Sequence, residues 1–285
     1  MKPAAAFLAA IIAAACGGAS PPPSPPPPPP PAAPALGYRM PSTDPLVYQQ
    51  VDSGGFTMQM QGMGNVDVSI AANATAELDF APQGDALEVT VRITDLSGSF
   101  VNSMAPGIGV DNQHRPGPAR LRIEPNGEVT IVERPVFSEQ LAQVVTPEGL
   151  YRSFFIRLPA RDVQRGATWT DTIRIAEAEG GMQVNTTSIV RSVWARDSTV
   201  GGRSLAVITS DIDNVLEVRG NSQGVDVVQN LRGTSTAVSL WDAQAAVLVE
   251  RRETGQATGT TDLPGMGING IPVTARSLQR IRLIR

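Results

Sequence analysis

The sequence is poor in the residues on which most enzyme chemistry depends. It holds one cysteine and one histidine, aromatics make up 5 % of its 285 residues, and Lys2 is its only lysine. A lone cysteine cannot form an intrachain disulfide, so stability has to come from the core. One histidine and one cysteine cannot assemble a His/Cys zinc cluster. His114 stands in a Gly/Pro-rich stretch beside Arg115 and Pro116, whereas a catalytic triad needs its histidine held by a buried third group. The lack of any later lysine excludes Schiff-base and Ser-Lys mechanisms. There is no P-loop, no G-x-G-x-x-G fingerprint between strand and helix, and no G-x-S-x-G elbow. A formal net charge of −4 gives nucleic acid no footing. No cofactor is expected, and the protein is read as a non-enzyme.

Carboxylate and hard-cation chemistry survive this elimination. Asp211, Asp213 and Asn214 are closely spaced, but they lack the glycine and distal glutamate of a calcium loop. Alternation also puts Asp211 and Asp213 on the wet face of a strand, so no metal site is assigned. A hydrolase working through paired carboxylates stays open as an alternative, because the chain carries 27 acidic residues and the spacing singles out no pair.

The N-terminus is the most specific feature present. Met1, Lys2 and Pro3 precede an apolar run over residues 4–15, which has the length of a signal-peptide core and is too short for a bilayer roughly 30 Å thick. Ala13, Ala14 and Ala15 lead into Cys16, followed by Gly17 and Gly18. This pattern resembles the bacterial lipobox, although Ala13 stands where leucine is common. The resemblance implies cleavage before Cys16 and acylation of its thiol and its new amino group. Acyl chains contributing about 0.8 kcal/mol per buried CH₂ would anchor the protein to a membrane. Residues 21–34 are almost all proline. As polyproline II at about 3.1 Å per residue they would space the domain roughly 40 Å from the anchor. The expected organisation is a signal peptide at 1–15, a lipidated cysteine and tether at 16–36, and one domain at 37–285. The resemblance implies export and a lipid anchor in the cell envelope, with the outer membrane facing the periplasm as the expected location.

From about residue 55 the pattern alternates with period two. Leu87, Val89, Val91 and Ile93 share one parity, while Glu88, Thr90, Arg92 and Thr94 share the other. One face is buried and one is wet, as in an antiparallel sheet. Met58/Met60, Val66/Val68, Leu121/Ile123 and Ile281/Leu283 repeat the pattern. Turn signals at Gly84-Asp85, Asn126-Gly127, Gly180-Gly181 and Gly201-Gly202 separate the strands. The expected fold is mainly β: a strongly curved antiparallel sheet in meander order, half-barrel or sandwich. Stretches 98–118 and 262–272 read as long loops. A short likeness between Asn65-Val66-Asp67-Val68 and Gly224-Val225-Asp226-Val227 hints at two related halves.

One segment, near 136–158, breaks the alternation. Ser138 suits a helix cap, and Thr146-Pro147-Glu148 suits a second start, with a cap, a proline in the first turn and an acid beside it. Leu150, Phe154 and Leu158 fall at i, i+4 and i+8, an apolar face that needs a sheet to cover it.

Directly after this segment come Leu158-Pro159, Val163, Gly166 and Trp169. The pattern resembles exported bacterial β proteins whose architecture is similar to the LolA/LppX-type lipoprotein-carrier fold, a curved antiparallel sheet under a short helical lid. The resemblance implies an apolar groove that takes a lipid or another amphiphile, and it transfers no functional residue. From the pattern of the chain the groove is expected to be lined by Met58, Met60, Leu150, Phe154 and Trp169. An envelope protein is the alternative partner, and a scaffolding lipoprotein with a filled core is the alternative role.

Overall fold

The computed structural model describes residues 36–285, apart from 61, 63, 143, 180 and 223. The signal peptide, Cys16 and the proline tether lie outside the described residues. Twelve strands form the domain: β1 (Leu46–Met60), β2 (Gly64–Gln83), β3 (Ala86–Asn102), β4 (Ala105–Val110), β5 (Ala119–Ile123), β6 (Val129–Glu133), β7 (Thr168–Glu179), β8 (Met182–Val200), β9 (Arg203–Ser222), β10 (Val225–Asp242), β11 (Val247–Leu263) and β12 (Ile268–Leu283). Between β6 and β7 lie two short helices, α1 (Glu139–Ala142) and α2 (Pro147–Arg152).

All strands belong to one antiparallel sheet, ordered β6-β5-β3-β2-β1-β12-β11-β10-β9-β8-β7, with β4 paired to β3 off this path. Each half meanders, and β1 joins them by pairing with β12 from Tyr48↔Leu283 to Met58↔Val273. The sheet is not closed, so the half-barrel expectation holds and the sandwich alternative does not. At about 3.3 Å per residue, strands of this length twist and coil strongly.

The alternation read from the sequence is present in β3, where Leu87, Val89, Val91 and Ile93 are buried. Hairpin glycines Gly84, Gly201 and Gly202 take positive φ (62°, 57° and 79°), the backbone that tight two-residue turns demand. The two stretches expected as loops are largely strand. β3 continues to Asn102 and β4 returns from Ala105, while β12 begins at Ile268. Glycine obscured this, because Gly98 and Gly109 break the apolar period without breaking the ladder, and Gly107 falls at a register shift between β3 and β4.

The main core gathers at one end of the sheet, around the helical segment. Leu141, Leu150, Tyr151 and Phe154 are each at most 1 % exposed. The sheet makes room for them with small residues: Ala72, Ala74 and Ala76 form an inward row on β2 and are buried. Gly98 works in the same way, since a Cβ there would lie 3.1 Å from Val144 Cγ1 and 2.8 Å from the Ala71 carbonyl. Both expected caps form. Ser138 Oγ accepts from Leu141 N at 3.2 Å and Thr146 Oγ1 from Gly149 N at 3.0 Å.

The i, i+4, i+8 reading does not survive as one helix. α2 ends at Arg152, and Phe154 and Leu158 follow on turn and extended chain. Their backbone is drawn off the helix by outside partners: Ile156 N donates to Tyr38 Oη at 2.8 Å and Leu158 N to the Asn126 carbonyl at 2.9 Å.

The same segment sits across the open seam between the edge strands β6 and β7. Toward β6, Arg152 Nη1 donates to the Val129 carbonyl. Toward β7, Glu148 N donates to Glu177 Oε1 at 3.2 Å, and Arg157 pairs with Asp171 at 3.0 Å. Charged bridges and a helical cover thus occupy the two edges that an open sheet would otherwise expose.

Candidate functional site

Strand register sets the site by stacking inward-facing residues in rows across the sheet. One row reads Ala74, Gln50, Ile281, Arg251 and Ser239. The next is Ala72, Asp52, Gln279, Glu253 and Ala237. Above it stand Ile70, Gly54, Ser277, Gly255 and Ser235, and then Val68, Phe56, Ala275, Ala257 and Gly233. Polar side chains dominate the first two of these rows, and the row of Gly54 and Gly255 keeps only Ile70 and two serines. A Cβ at Gly255 would come within 2.6 Å of Ser235 Oγ and 2.8 Å of Ser277 Oγ. Ser235 and Ser277 thus fill the place beside Gly255, and a hollow is bordered by the small residues Gly54, Ala72 and Ala275.

The hollow is a cavity of about 490 Å³ under the α1–α2 connection. Phe56, Ile70, Val144, Val145, Leu216 and Leu231 give it apolar walls. They come from β1 and β2 on one side, β9 and β10 on the other, and the helical cover. Asp52, Glu253, Gln279 and Gln229 supply polar groups, and the exposed Ser277 marks an opening to solvent. The size and mixed lining are those of a small-molecule site.

Asp52 is the distinctive group. Its Oδ2 accepts from Gln50 Nε2, whose Oε1 in turn accepts from Ser153 Oγ at 2.8 Å. Its Oδ1 is buried and makes no hydrogen bond. Burial pushes this carboxyl above the usual carboxylate range; the Gln50 and Gln279 amides oppose the shift and the charge of Glu253 adds to it. Glu253 is neutralised by Arg251, which donates to its Oε2. Such a carboxyl takes up protons on folding, so stability falls as pH rises from the ordinary carboxylate range through the raised value. Asp52→Asn is expected to raise the unfolding midpoint at neutral pH and to flatten that decline. Thermal unfolding of both proteins from about pH 4 to about pH 8 checks it, and equal slopes would contradict a carboxylate penalised by burial.

None of the five residues expected to line a groove borders this cavity. Leu150 and Phe154 are sealed in the core, with the Phe154 ring 5.8 Å from Tyr48. Trp169 packs against that core and donates from Nε1 to the Arg157 carbonyl at 3.3 Å. Met58 is half-buried opposite Val66 and Val273, and Met60 faces Gly64 where β1 ends. Met58 shares the inward parity of Phe56 but lies one row beyond it. Several residues that do border the hollow went unread because their signal was smallness and parity: Gly54, Ala72 and Ala275 carry no chemistry of their own.

His114 closes a short 3-10 turn with its Nδ1 3.0 Å from Asp111 Oδ1. Asp211 is exposed and Asp213 pairs with Arg191 at 2.6 Å. Among the described residues, no group of three or more His, Cys, Asp or Glu side chains is placed to hold a metal ion. Fold and cavity together define an open-barrel β protein with a covered, mainly apolar hollow. No protein-family model matches the chain, and no curated protein matches it in sequence.

Proposed function

We propose that the protein is a membrane-anchored envelope lipoprotein that binds an amphiphile, a lipid or a lipid-like molecule, inside its curved sheet. The cavity of about 490 Å³ beneath the α1–α2 connection carries this reading. A filled interior is what a purely scaffolding lipoprotein would need, and the rows of glycine and alanine work against filling. Cys16 is the proposed attachment point to the membrane, with the proline-rich stretch as spacer toward the periplasm. The similarity to the lipoprotein-carrier architecture supports the same role, in which a covered hollow shields an apolar chain from water.

One variant tests both parts. The full chain with Cys16→Ser is expected in the soluble fraction of a bacterial envelope preparation. Purified without detergent, it is expected to show bound lipid in native mass spectrometry. Retention in the membrane fraction would refute the anchor, and a soluble protein without ligand that also takes up no added amphiphile would refute the binding role.

The placement of Asp52 and Glu253 in one row of the cavity wall, with Gln279 between them, favours a second reading, hydrolysis through two carboxylates. One acid whose pKa burial raises, in register with a second carboxylate paired to Arg251, is an arrangement such chemistry can use. Consumption of a bound ester or glycoside, lost in Asp52→Asn, would establish it over carriage.

A further inference from the structure

The polar row in the cavity wall says which head group the amphiphile carries. Asp52 on β1, Gln279 on β12 and Glu253 on β11 stand side by side in register across three adjacent strands. They lie on the core-ward side of the hollow, one row above Gln50, which is 1 % exposed. Phe56, Ile70 and Leu231 line the space beyond them. The three polar side chains that stand in one row are thus on the core-ward side of the hollow, with apolar side chains beyond them and the single amide of Gln229 past Leu231 on β10.

The charge on this row is unbalanced. Glu253 is matched by Arg251. Asp52 has no cation among its hydrogen-bond partners, and its Oδ1 lacks any partner. Arg276 also borders the cavity, but it has the outward parity of β12 and is exposed. A buried acceptor without a donor costs about 1–3 kcal/mol, and a ligand that brings the donor removes that cost.

Resting on the binding role proposed above, we infer that the cavity selects amphiphiles whose head group donates hydrogen bonds and bears no negative charge, a long-chain amine above all, with the head on Asp52 and the chain along Phe56, Ile70 and Leu231. An anionic head would meet a carboxylate already short of donors. Chain-matched probes differing only in the head group isolate the effect.

The experiment uses the full chain carrying Cys16→Ser, loaded with N-phenyl-1-naphthylamine as a fluorescent reporter. Dodecylamine, 1-dodecanol and dodecanoate then compete, each below its micelle concentration. Dodecylamine is expected to displace the reporter at about tenfold lower concentration than dodecanoate, the factor that one charge-assisted hydrogen bond supplies, with dodecanol between them. Asp52→Asn is expected to bring amine and acid within about twofold, while the exposed control Asp211→Asn keeps the preference. Equal or tighter competition by dodecanoate in the unmodified cavity overturns the head-group inference and leaves the binding role standing. An amine preference that persists in Asp52→Asn overturns the assignment to Asp52. If the reporter does not bind and no amphiphile displaces it, the binding role falls and this inference falls with it.

Discussion

Trp241→Ala is expected to lower folding stability by about 3–5 kcal/mol, the cost of emptying a large aromatic site in a close-packed interior. Trp241 is the largest fully buried side chain, at 0 % exposure. Trp241 continues the inward parity of Ala237 and Ser239 on β10, and the extra residue Val249 on β11 shifts the register so that the buried Leu248 stands opposite it, a re-aiming that such irregularities commonly perform. Its ring meets Tyr38 edge-on at 4.8 Å.

Tyr38 is itself a junction. Its backbone N donates to the Pro125 carbonyl at 2.8 Å, its hydroxyl accepts from Ile156 N, and the neighbouring Arg39 donates to the Ala243 carbonyl at 2.6 Å. Loss of Trp241 therefore loosens the entry of the chain, the β5–β6 turn and the β10–β11 turn together. One term runs the other way, since the buried Nε1 has no hydrogen-bond partner and its removal returns about 1 kcal/mol or more. The lost volume outweighs it. Trp241→Phe, which removes the unpaired N–H and keeps most of the ring, is expected to cost less than half as much. At roughly 2–4 °C per kcal/mol for a domain of this size, the alanine variant should melt on the order of 10 °C lower. A loss in urea unfolding below about 1 kcal/mol would show that the core closes over the gap.

What the sequence disclosed follows from the range of the interactions involved. Inward and outward parity in β3, the caps at Ser138 and Thr146, and the turns at Gly84 and Gly201-Gly202 depend on neighbours a few residues away, and each was readable. The end of α2 was not, because Phe154 to Leu158 answer to Tyr38 and Asn126, the former 118 residues from its partner Ile156. The cavity was hidden for the same reason. Asp52 and Glu253 share a wall only because β1 pairs with β12 and β12 with β11. Their meeting is a matter of register, which a single strand does not encode. Large apolar residues drew attention to Leu150 and Phe154, yet in this fold bulk marks the filled end and glycine marks the hollow. Trp169 illustrates the middle case: the motif that holds it was legible, but its side chain packs beside the turn after Pro159, where Gly166 takes φ 88° and donates to the Trp194 carbonyl at 2.8 Å.

Glu148 links the stability of the cover to the closure of the seam, and Glu148→Ala is the variant expected to separate them. Its side chain is 3 % exposed. Oε1 lies 2.6 Å from Arg134 Nη2, Oε2 accepts from Arg152 Nε, and the backbone N reaches Glu177 on β7. Removing one member of a fully buried ion pair costs about 3–5 kcal/mol, mainly through the charge left behind. Here Arg134 and Arg152 are 51 % and 25 % exposed, so water recovers part of that cost and a loss of about 2 kcal/mol is expected. Glu148→Gln, which keeps an acceptor for Arg152, should lose about half as much.

The distribution of the effect matters more than its size. Arg152 carries the link to the Val129 carbonyl on β6, so loss of Glu148 frees the segment from that edge while the sheet ladders stay paired. Hydrogen exchange should then accelerate in α1, α2 and the chain to Leu158, with β9 and β10 unchanged, as expected for a local opening. Uniform acceleration across the sheet would mean that the segment is a full member of the folding unit and has no separate opening. A faster local exchange accompanied by quicker release of a bound amphiphile would place the ligand's way in and out beneath the α1–α2 connection that covers the cavity.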